Sequence, residues 1–331
     1  MAALPDLPRV RLLDGPTPLQ PLPRLSAALG GRAELWIKRE DLGPLAFSGN
    51  KLRNLEFLLG AAVVDGADTI VTSGRRWSNH CRLTAAAGAR EGLAVHVVVS
   101  GPRVANSANV RLMRELGATV HEAATDARAE REELVADVAS TAEGAGRRVR
   151  ILPVGGSEPI GAWGQVLAAL EAIDQAAALG VPPDAIVLPT ATGGTQAGLV
   201  VGAALGAAAA PAGATALRIL GIAVHPDPDL RPKVEGLVGA LATMAGVDPP
   251  RDAIEIDDRH IGAAYGLLSE EATEAARRLA RTEGILVDPV YTAKGLGGLI
   301  AQVAAGALDG KRVIFWHGGG LPALFEPSLG R

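Results

Sequence analysis

Aromatic side chains are scarce in this 331-residue chain: four Trp, two Tyr and four Phe make up 3% of it. The core must come from Ala, Val, Leu and Ile, so each aromatic is a rare item whose location is informative. Cysteine is scarcer still. Cys81 stands alone, which excludes an intrachain disulfide and a cysteine-based zinc site and fits a reducing compartment, the cytoplasm. No metal-ligating set stands out. There is no basic excess either. The 32 Lys and Arg against 36 Asp and Glu leave a net charge of −4, so nothing drives counterion release from nucleic acid. Met1 to Val10 holds two prolines, an acid and no apolar run, so no signal peptide is expected. The most apolar stretch, Ala197 to Ala214, is mostly Ala and Gly with Pro211 near its end. It reads as a buried helix and its exit loop, with a membrane span the alternative.

What is present is globular. Hydrophobic residues at 48% and charged residues at 21% sit near the usual average. The length suggests about two domains. Short β-branched runs alternate with longer helical ones. Strands are expected at 69–72, 94–99, 119–121, 185–188, 218–224 and 312–316. Helices are expected at 78–92, 106–116, 127–143, 161–179, 195–208, 270–283 and 294–305. Such alternation argues for parallel sheets with helices on both faces. Gly144, Gly146, Pro153 and Gly155-Gly156 mark a loop region where one lobe could end.

Five segments carry residues suited to chemistry. Lys38-Arg39-Glu40-Asp41 is followed by Ser48-Gly49-Asn50-Lys51, where Gly49 permits a tight turn and Asn50 can cap the helix that Lys51 opens. The helix dipole at that end lowers the pKa of Lys51 and favours the neutral amine, the form that makes Schiff bases. The plain alternative is a surface lysine. Gly74 to His80 ends a strand and starts a helix. Open α/β sheets place ligands there, and the Ser78 hydroxyl with backbone N–H groups could hold a carboxylate; the alternative is an ordinary cap. Thr190 to Gly198 holds Thr192-Gly193-Gly194-Thr195 before a helix, a phosphate cradle by geometry, or a plain turn. It lacks the lysine of a Walker loop. Asp288-Pro289-Val290-Tyr291-Thr292 and His317-Gly318-Gly319-Gly320 complete the set. The triple glycine permits close backbone approach to a flat ligand.

In order and spacing, these segments resemble the D-cysteine desulfhydrase / 1-aminocyclopropane-1-carboxylate (ACC) deaminase family of pyridoxal-phosphate (PLP) enzymes, within the tryptophan-synthase-β-like group called fold type II. The resemblance runs from about Pro21 to Phe325. It implies an α/β fold of two domains with the cofactor in the cleft between them. Residues 1–47 and 161–331 would form the larger PLP-binding domain and 48–160 the smaller one. It implies that Lys51 holds PLP as a Schiff base and acts as acid and base at the substrate Cα. Asn79 would bond the ring hydroxyl, and Ser78 the substrate carboxylate. Thr192, Gly193, Gly194 and Thr195 would hold the phosphate. Tyr265 and Tyr291 would flank substrate or ring, and Thr292 would stand near the pyridine nitrogen where deaminases carry glutamate. His80, Trp77 and Gly318 fall at the substrate end. The family is typically homodimeric.

A neutral Thr292 leaves the pyridine nitrogen largely unprotonated, which favours expulsion of a β-leaving group. The expected reaction is therefore α,β-elimination of a small β-substituted amino acid such as D-cysteine, giving a keto acid and ammonia. ACC deaminase and L-cysteate sulfo-lyase activity remain alternatives, as does a non-catalytic small-molecule-binding protein. The sequence also departs from the family pattern. Trp77 replaces the usual glutamine, Arg75 and Arg76 replace small or apolar residues, Gly318 follows His317, and Leu268 replaces a proline. Trp77 is expected to reshape the substrate pocket. Arg75 or Arg76 either pairs with a second anionic group on the substrate or points to solvent.

Overall fold

The computed structural model describes residues 4–101, 103, 106–124, 127–210, 216–262, 266–327 and 329. In chain order the strands are β1 Leu19–Pro21, β2 Glu34–Arg39, β3 Thr69–Arg75, β4 Ala94–Ser100, β5 Thr119–Glu122, β6 Val149–Leu152, β7 Ala185–Thr190, β8 Arg218–Ala223, β9 Glu255–Asp257 and β10 Arg312–His317. The helices are α1 Pro23–Ala28, α2 Lys51–Val64, α3 Asn79–Glu91, α4 Ala108–Glu115, α5 Arg128–Gly144, α6 Pro159–Ala178, α7 Gly194–Ala209, α8 Leu230–Ala245, α9 Glu270–Glu283 and α10 Thr292–Ala304.

The strands form two sheets. The larger runs β1-β2-β10-β7-β8-β9 and is parallel except for the β1 edge. The smaller runs β5-β4-β3-β6 and is parallel throughout. Central strands such as β3 are buried on both faces, which is why they read as continuous β-branched runs rather than alternating ones. Helices cover both faces of each sheet, as the alternation predicted. Trp163, Val200, Val234 and Trp316 pack on one face of the larger sheet, and Leu25, Leu279, Leu296 and Phe315 on the other. Leu55, Leu83 and Val97 fill one face of the smaller sheet, and Val71, Val98, Val135 and Val138 the other. Each large apolar side chain so buried contributes about 1.5–3 kcal/mol.

The Ala/Gly run from Ala197 lies in α7, buried through Ala203 as expected and exposed at Ala207–Ala209, while the expected exit loop at 211–214 lies outside the described residues; small residues are needed along the buried part. A Cβ at Gly202 would lie 2.5 Å from the Ala169 Cβ, and one at Gly198 would run into Gln165, so α6 and α7 touch nearly backbone to backbone. No helix among the described residues is long and apolar enough to cross a membrane.

Several elements were not expected. Strand β2 hides Leu35, Trp36 and Ile37 between charges, and β6 carries Arg150 inside a stretch marked as loop. Both exist because a neighbouring strand pairs with them: β10 with β2, β3 with β6. Tertiary pairing overrides weak local signal there.

Candidate active site

A cavity of about 1020 Å³ opens at the carboxyl ends of β3 and β7. Lys51, Ser78, Asn79, His80 and Arg75 line it from the side of the smaller sheet, and Thr190, Thr192, Gly193, Thr195, Tyr291, Thr292 and Gly318 from the side of the larger; Gly194 is not in its lining. Residues far apart in sequence thus meet in one place, at the position where open parallel sheets take their ligands.

Lys51 is the first residue of α2. Its amine makes no hydrogen bond or ion pair among the described residues. Burial pulls its pKa down to about 8. Desolvation of the charged form is the cause. The chain reaches Lys51 through three consecutive non-glycine residues with positive φ: Ala46 at 40°, Phe47 at 62° and Ser48 at 47°. Such backbone costs about 1–3 kcal/mol per residue and persists only when its surroundings hold it. Arg82 does so. Its guanidinium donates to the carbonyls of Ala46 and Ser48 at 3.0 Å each, and also to Asn79 Oδ1 and Asn109 Oδ1. Two residues beyond Lys51, Arg53 bonds Glu40 and Glu171, and Lys38 bonds Glu171 as well. The Lys38-to-Asp41 segment is therefore the brace beneath the lysine helix.

The glycine turn at 318–320 serves this geometry before it serves a ligand. Gly49 and Gly319 form a β-bridge, and the Asn50 N–H donates to the Gly318 carbonyl at 3.1 Å. A Cβ on Gly319 would stand 2.7 Å from the Gly49 Cα. Gly318 also lines the cavity, as expected. Asn50 does not cap α2. Its amide donates instead to Thr195 Oγ1 at 2.8 Å. Gln165 holds Asn50 from behind through its backbone carbonyl at 2.8 Å.

Ser78 caps α3, its Oγ accepting from the Cys81 N–H at 3.3 Å. His80 is buried, and its Nε2 lies 2.9 Å from Thr72 Oγ1. The Thr72 hydroxyl gives its hydrogen to the Leu152 carbonyl, which assigns the His80 proton to Nε2. Nδ1 is left without a partner. Burial and the nearby Lys51 push the ring's pKa down to about 3, so it is neutral.

The turn before α7 fits a phosphate. Gly193 has a φ of 81°, and no side chain caps the helix that follows. Thr192 bonds Ser157 at 2.6 Å, Thr195 bonds Asn50, and Thr190 Oγ1 is buried with no partner. A Cβ at Gly194 would come within 2.9 Å of Ser157 Oγ, so the turn closes tightly. Uncapped N–H groups, hydroxyls and a helix N-terminus converge there.

Thr292 begins α10. Its hydroxyl donates to Asp288 Oδ1 at 2.6 Å and accepts from the Asp288 N–H at 2.7 Å. The N–H groups of Val290, Tyr291 and Thr292 also donate to the Asp288 carboxylate. The hydroxyl hydrogen of Thr292 is therefore committed to Asp288. Tyr265 lies outside the described residues.

Two expectations are corrected. Trp77 is not among the side chains lining the cavity. It is buried with Val290, Ala323 and Leu329, with Tyr291 packed alongside, because the strand-to-helix turn that exposes Ser78 directs its neighbour the other way. Arg76 neither faces the cavity nor points to solvent. It is buried beside Glu122, whereas Arg75 does line the cavity, near Arg128 and Arg131. Of the aromatics expected near the cleft, Phe47 is exposed and Trp316 lies in the core. Sequence reasoning missed Arg82, Gln165 and Ser157 and gave Asp288 no role. Arg82 left a signal: a charge just before the Ala85-Ala86-Ala87 run of the helix.

Residues 10–319 match the family described as pyridoxal-phosphate dependent enzyme. The chain is 39% identical over 329 residues to a D-cysteine desulfhydrase of Yersinia pestis (strain Pestoides F), covering 97% of this chain and 96% of the relative. It is 40% identical over 332 residues to a D-cysteine desulfhydrase of Klebsiella pneumoniae subsp. pneumoniae, covering 97% of each. Among solved structures it is similar to an ACC deaminase homologue, with a TM-score of 0.86, 33% identity, and coverage of 96% of this chain and 93% of that one. A pyridoxal 5'-phosphate-dependent aspartate racemase shares the fold, with a TM-score of 0.66, 17% identity, and coverage of 92% and 90%.

Proposed function

This chain belongs to the pyridoxal-phosphate dependent enzyme family, and from that premise we propose that it is a D-cysteine desulfhydrase-like lyase working from the cavity between its two sheets. The observation that carries the reading is Lys51: a desolvated amine without a partner among the described residues, on a cavity whose far wall is an uncapped glycine-threonine turn. The turn Thr192 to Thr195 holds the cofactor phosphate, and Asn79 and Thr292 meet its ring. Bound there, PLP supplies the electron sink that makes a Cα proton removable.

The protein's own groups do the rest. Ser78 donates its hydroxyl hydrogen to the substrate carboxylate, with the first N–H groups of α3 around it. Lys51 in its neutral form takes the proton from Cα. His80 stays neutral beside it and adds no competing charge. Tyr291 stands at the cavity wall, and Tyr265 is its proposed partner across the substrate. Loss of the Cα proton and of the β-substituent, followed by addition of water, converts D-cysteine to pyruvate, ammonia and hydrogen sulfide. A hydroxyl at Thr292, rather than a carboxylate, supports elimination over opening of a cyclopropane ring.

The same proposal takes residues 48–160 as the smaller lobe, with 1–47 and 161–331 the larger, and the working form as a cytoplasmic homodimer, which light scattering tests. The activity itself is tested with a panel of D- and L-cysteine, ACC and cysteate, scored for keto acid and ammonia. The reading expects D-cysteine to be turned over fastest. Visible absorbance from PLP that borohydride fixes on the Lys51 peptide is the second expected result. Cofactor bound with no turnover of any panel member would leave the protein a binding protein.

A further inference from the structure

Among the described residues three arginines are buried, and they differ in what satisfies them. Arg53, 4% exposed, donates five hydrogen bonds of 2.7–3.1 Å to Glu40, Glu171 and Thr17. Arg82, 0% exposed, donates four of 2.9–3.0 Å. Arg76 is 2% exposed, yet it reaches only the Gly101 carbonyl at 3.3 Å and Glu122 at 3.4 Å, and its Nε has no partner. A buried guanidinium with long, incomplete contacts is costly unless further negative charge completes it.

Glu122 cannot supply that charge alone. Arg103 contacts the same carboxylate at 3.4 Å and Arg114 at 3.2 Å. Arg111, three residues before Arg114 on α4, has a guanidinium with no ion pair or hydrogen bond among the described residues. A hollow of about 440 Å³ lies among these groups, lined by four arginines (76, 103, 111 and 114) against two glutamates (115 and 122), with the Ser107 hydroxyl at its wall. It is separate from the main cavity and shares no lining residue with it.

We propose that this hollow on the smaller sheet is a binding site for a tetrahedral oxyanion of two negative charges, phosphate or the phosphate group of a small molecule. Guanidinium groups match such oxygens with paired N–H donors. The anion gives Arg76, Arg103 and Arg114 the charge that one carboxylate now divides among them, and gives Arg111 a partner. The site stands two residues from the substrate turn, since Trp77 and Ser78 follow Arg76 directly, and the Ser78 N–H donates to the Arg75 carbonyl at 2.8 Å.

The test is calorimetric titration of the PLP-loaded enzyme, freed of excess cofactor so that the turn at Thr192–Thr195 is already filled. Inorganic phosphate, glycerol 2-phosphate and nitrate are the probes. Saturable binding of either phosphate, with none of the planar monoanion nitrate, is the expected result. Tighter binding of glycerol 2-phosphate assigns the site to a phosphorylated small molecule, and tighter binding of inorganic phosphate to the free ion. The double variant R111A/R114A, both exposed on α4, is expected to bind at least tenfold more weakly, about 1.4 kcal/mol. R277A/R281A on the surface of α9 is expected to bind as the unaltered chain does. Absence of saturable binding, or equal binding in R111A/R114A, overturns the proposal. The titration involves no turnover, so its outcome is independent of which amino acid the enzyme consumes.

Discussion

The two facing walls of the cavity are built on different physics. The turn from Thr190 to Thr195 carries hydroxyls, glycines and an uncapped helix end, and no titratable side chain. The opposing wall carries Lys51 and His80, both pushed toward their neutral forms by burial. Backbone donors bind an anion at any pH and need no proton inventory. A desolvated amine binds little by itself but becomes a base near neutrality. The division separates holding from reacting, and substitutions on the two walls should fail in different ways.

The largest failure is expected from Lys51→Ala. Loss of a positioned base should lower keto acid release from D-cysteine by about 10⁴-fold, while the cofactor is still retained through the opposite wall. Turnover within tenfold of the unaltered enzyme would remove Lys51 from its proposed role. Next comes the holding wall. Thr195→Val deletes the hydroxyl that Asn50 now reaches, and Asn50→Ala deletes the other partner. Each should weaken cofactor affinity about tenfold or less, in line with a net ~1 kcal/mol hydrogen bond, with kcat at saturating cofactor nearly unchanged. Equilibrium titration of the apoprotein with PLP measures this. A variant that kept full affinity but lost kcat would erase the distinction between the walls.

A smaller effect, in pH, tests the reacting wall alone. The Lys51 amine is depressed to about 8, so its neutral fraction rises as pH climbs through 8 and is nearly complete one to two units above. The rate of PLP capture by the apoprotein should follow that curve and level off, whereas an ordinary lysine would keep gaining up to about 10.4. His80, held neutral down to about 3, should add no second inflection between pH 5 and 8. Stopped-flow absorbance from about pH 5 to about pH 11 reads both. A midpoint near the ordinary lysine value would mean that the amine is solvated.

Much of this was legible in the sequence, for a definite reason. Lys51, Ser78 and Thr192-Gly193-Gly194-Thr195 sit at helix starts, most of them directly after a strand, and a parallel sheet brings every such end to one side. Local pattern therefore located residues that line one cavity. It did not reveal what supports the site. Arg82 reaches back to Ala46 and Ser48, Gln165 to Asn50, and Ser157 to Thr192, and none of these pairings has a local signature. Asn50 shows the same limit at one residue. Its type suits a helix cap, yet the neighbouring turn offers Thr195 Oγ1, and the side chain goes there. Strands β2 and β6 were missed for the same cause, since only their partners make them strands.

Trp77 gives the smallest expected effect on catalysis and the sharpest check on where the reacting wall ends. Its position in the chain, immediately before Ser78, suggested a substrate contact. Its packing against Val290, Ala323 and Leu329 instead ties the turn at the end of β3 to the segments around α10 and the C-terminal end of the chain. Glu326 makes a second tie nearby, accepting from Ser107 Oγ and the Asn109 N–H. Trp77→Gln restores the residue usual in the family but removes a large buried apolar group and buries an amide. It should destabilise the protein by roughly 3 kcal/mol, read as a fall in Tm, while KM for D-cysteine moves less than twofold. Glu326→Gln, which keeps the shape and removes the charge from the cap of α4, should cost about 1 kcal/mol and leave KM alone as well. If Trp77→Gln instead changed KM several-fold with an unaltered Tm, the tryptophan would belong to the substrate wall after all, and the border between holding the turn and reading the substrate would have to move by one residue.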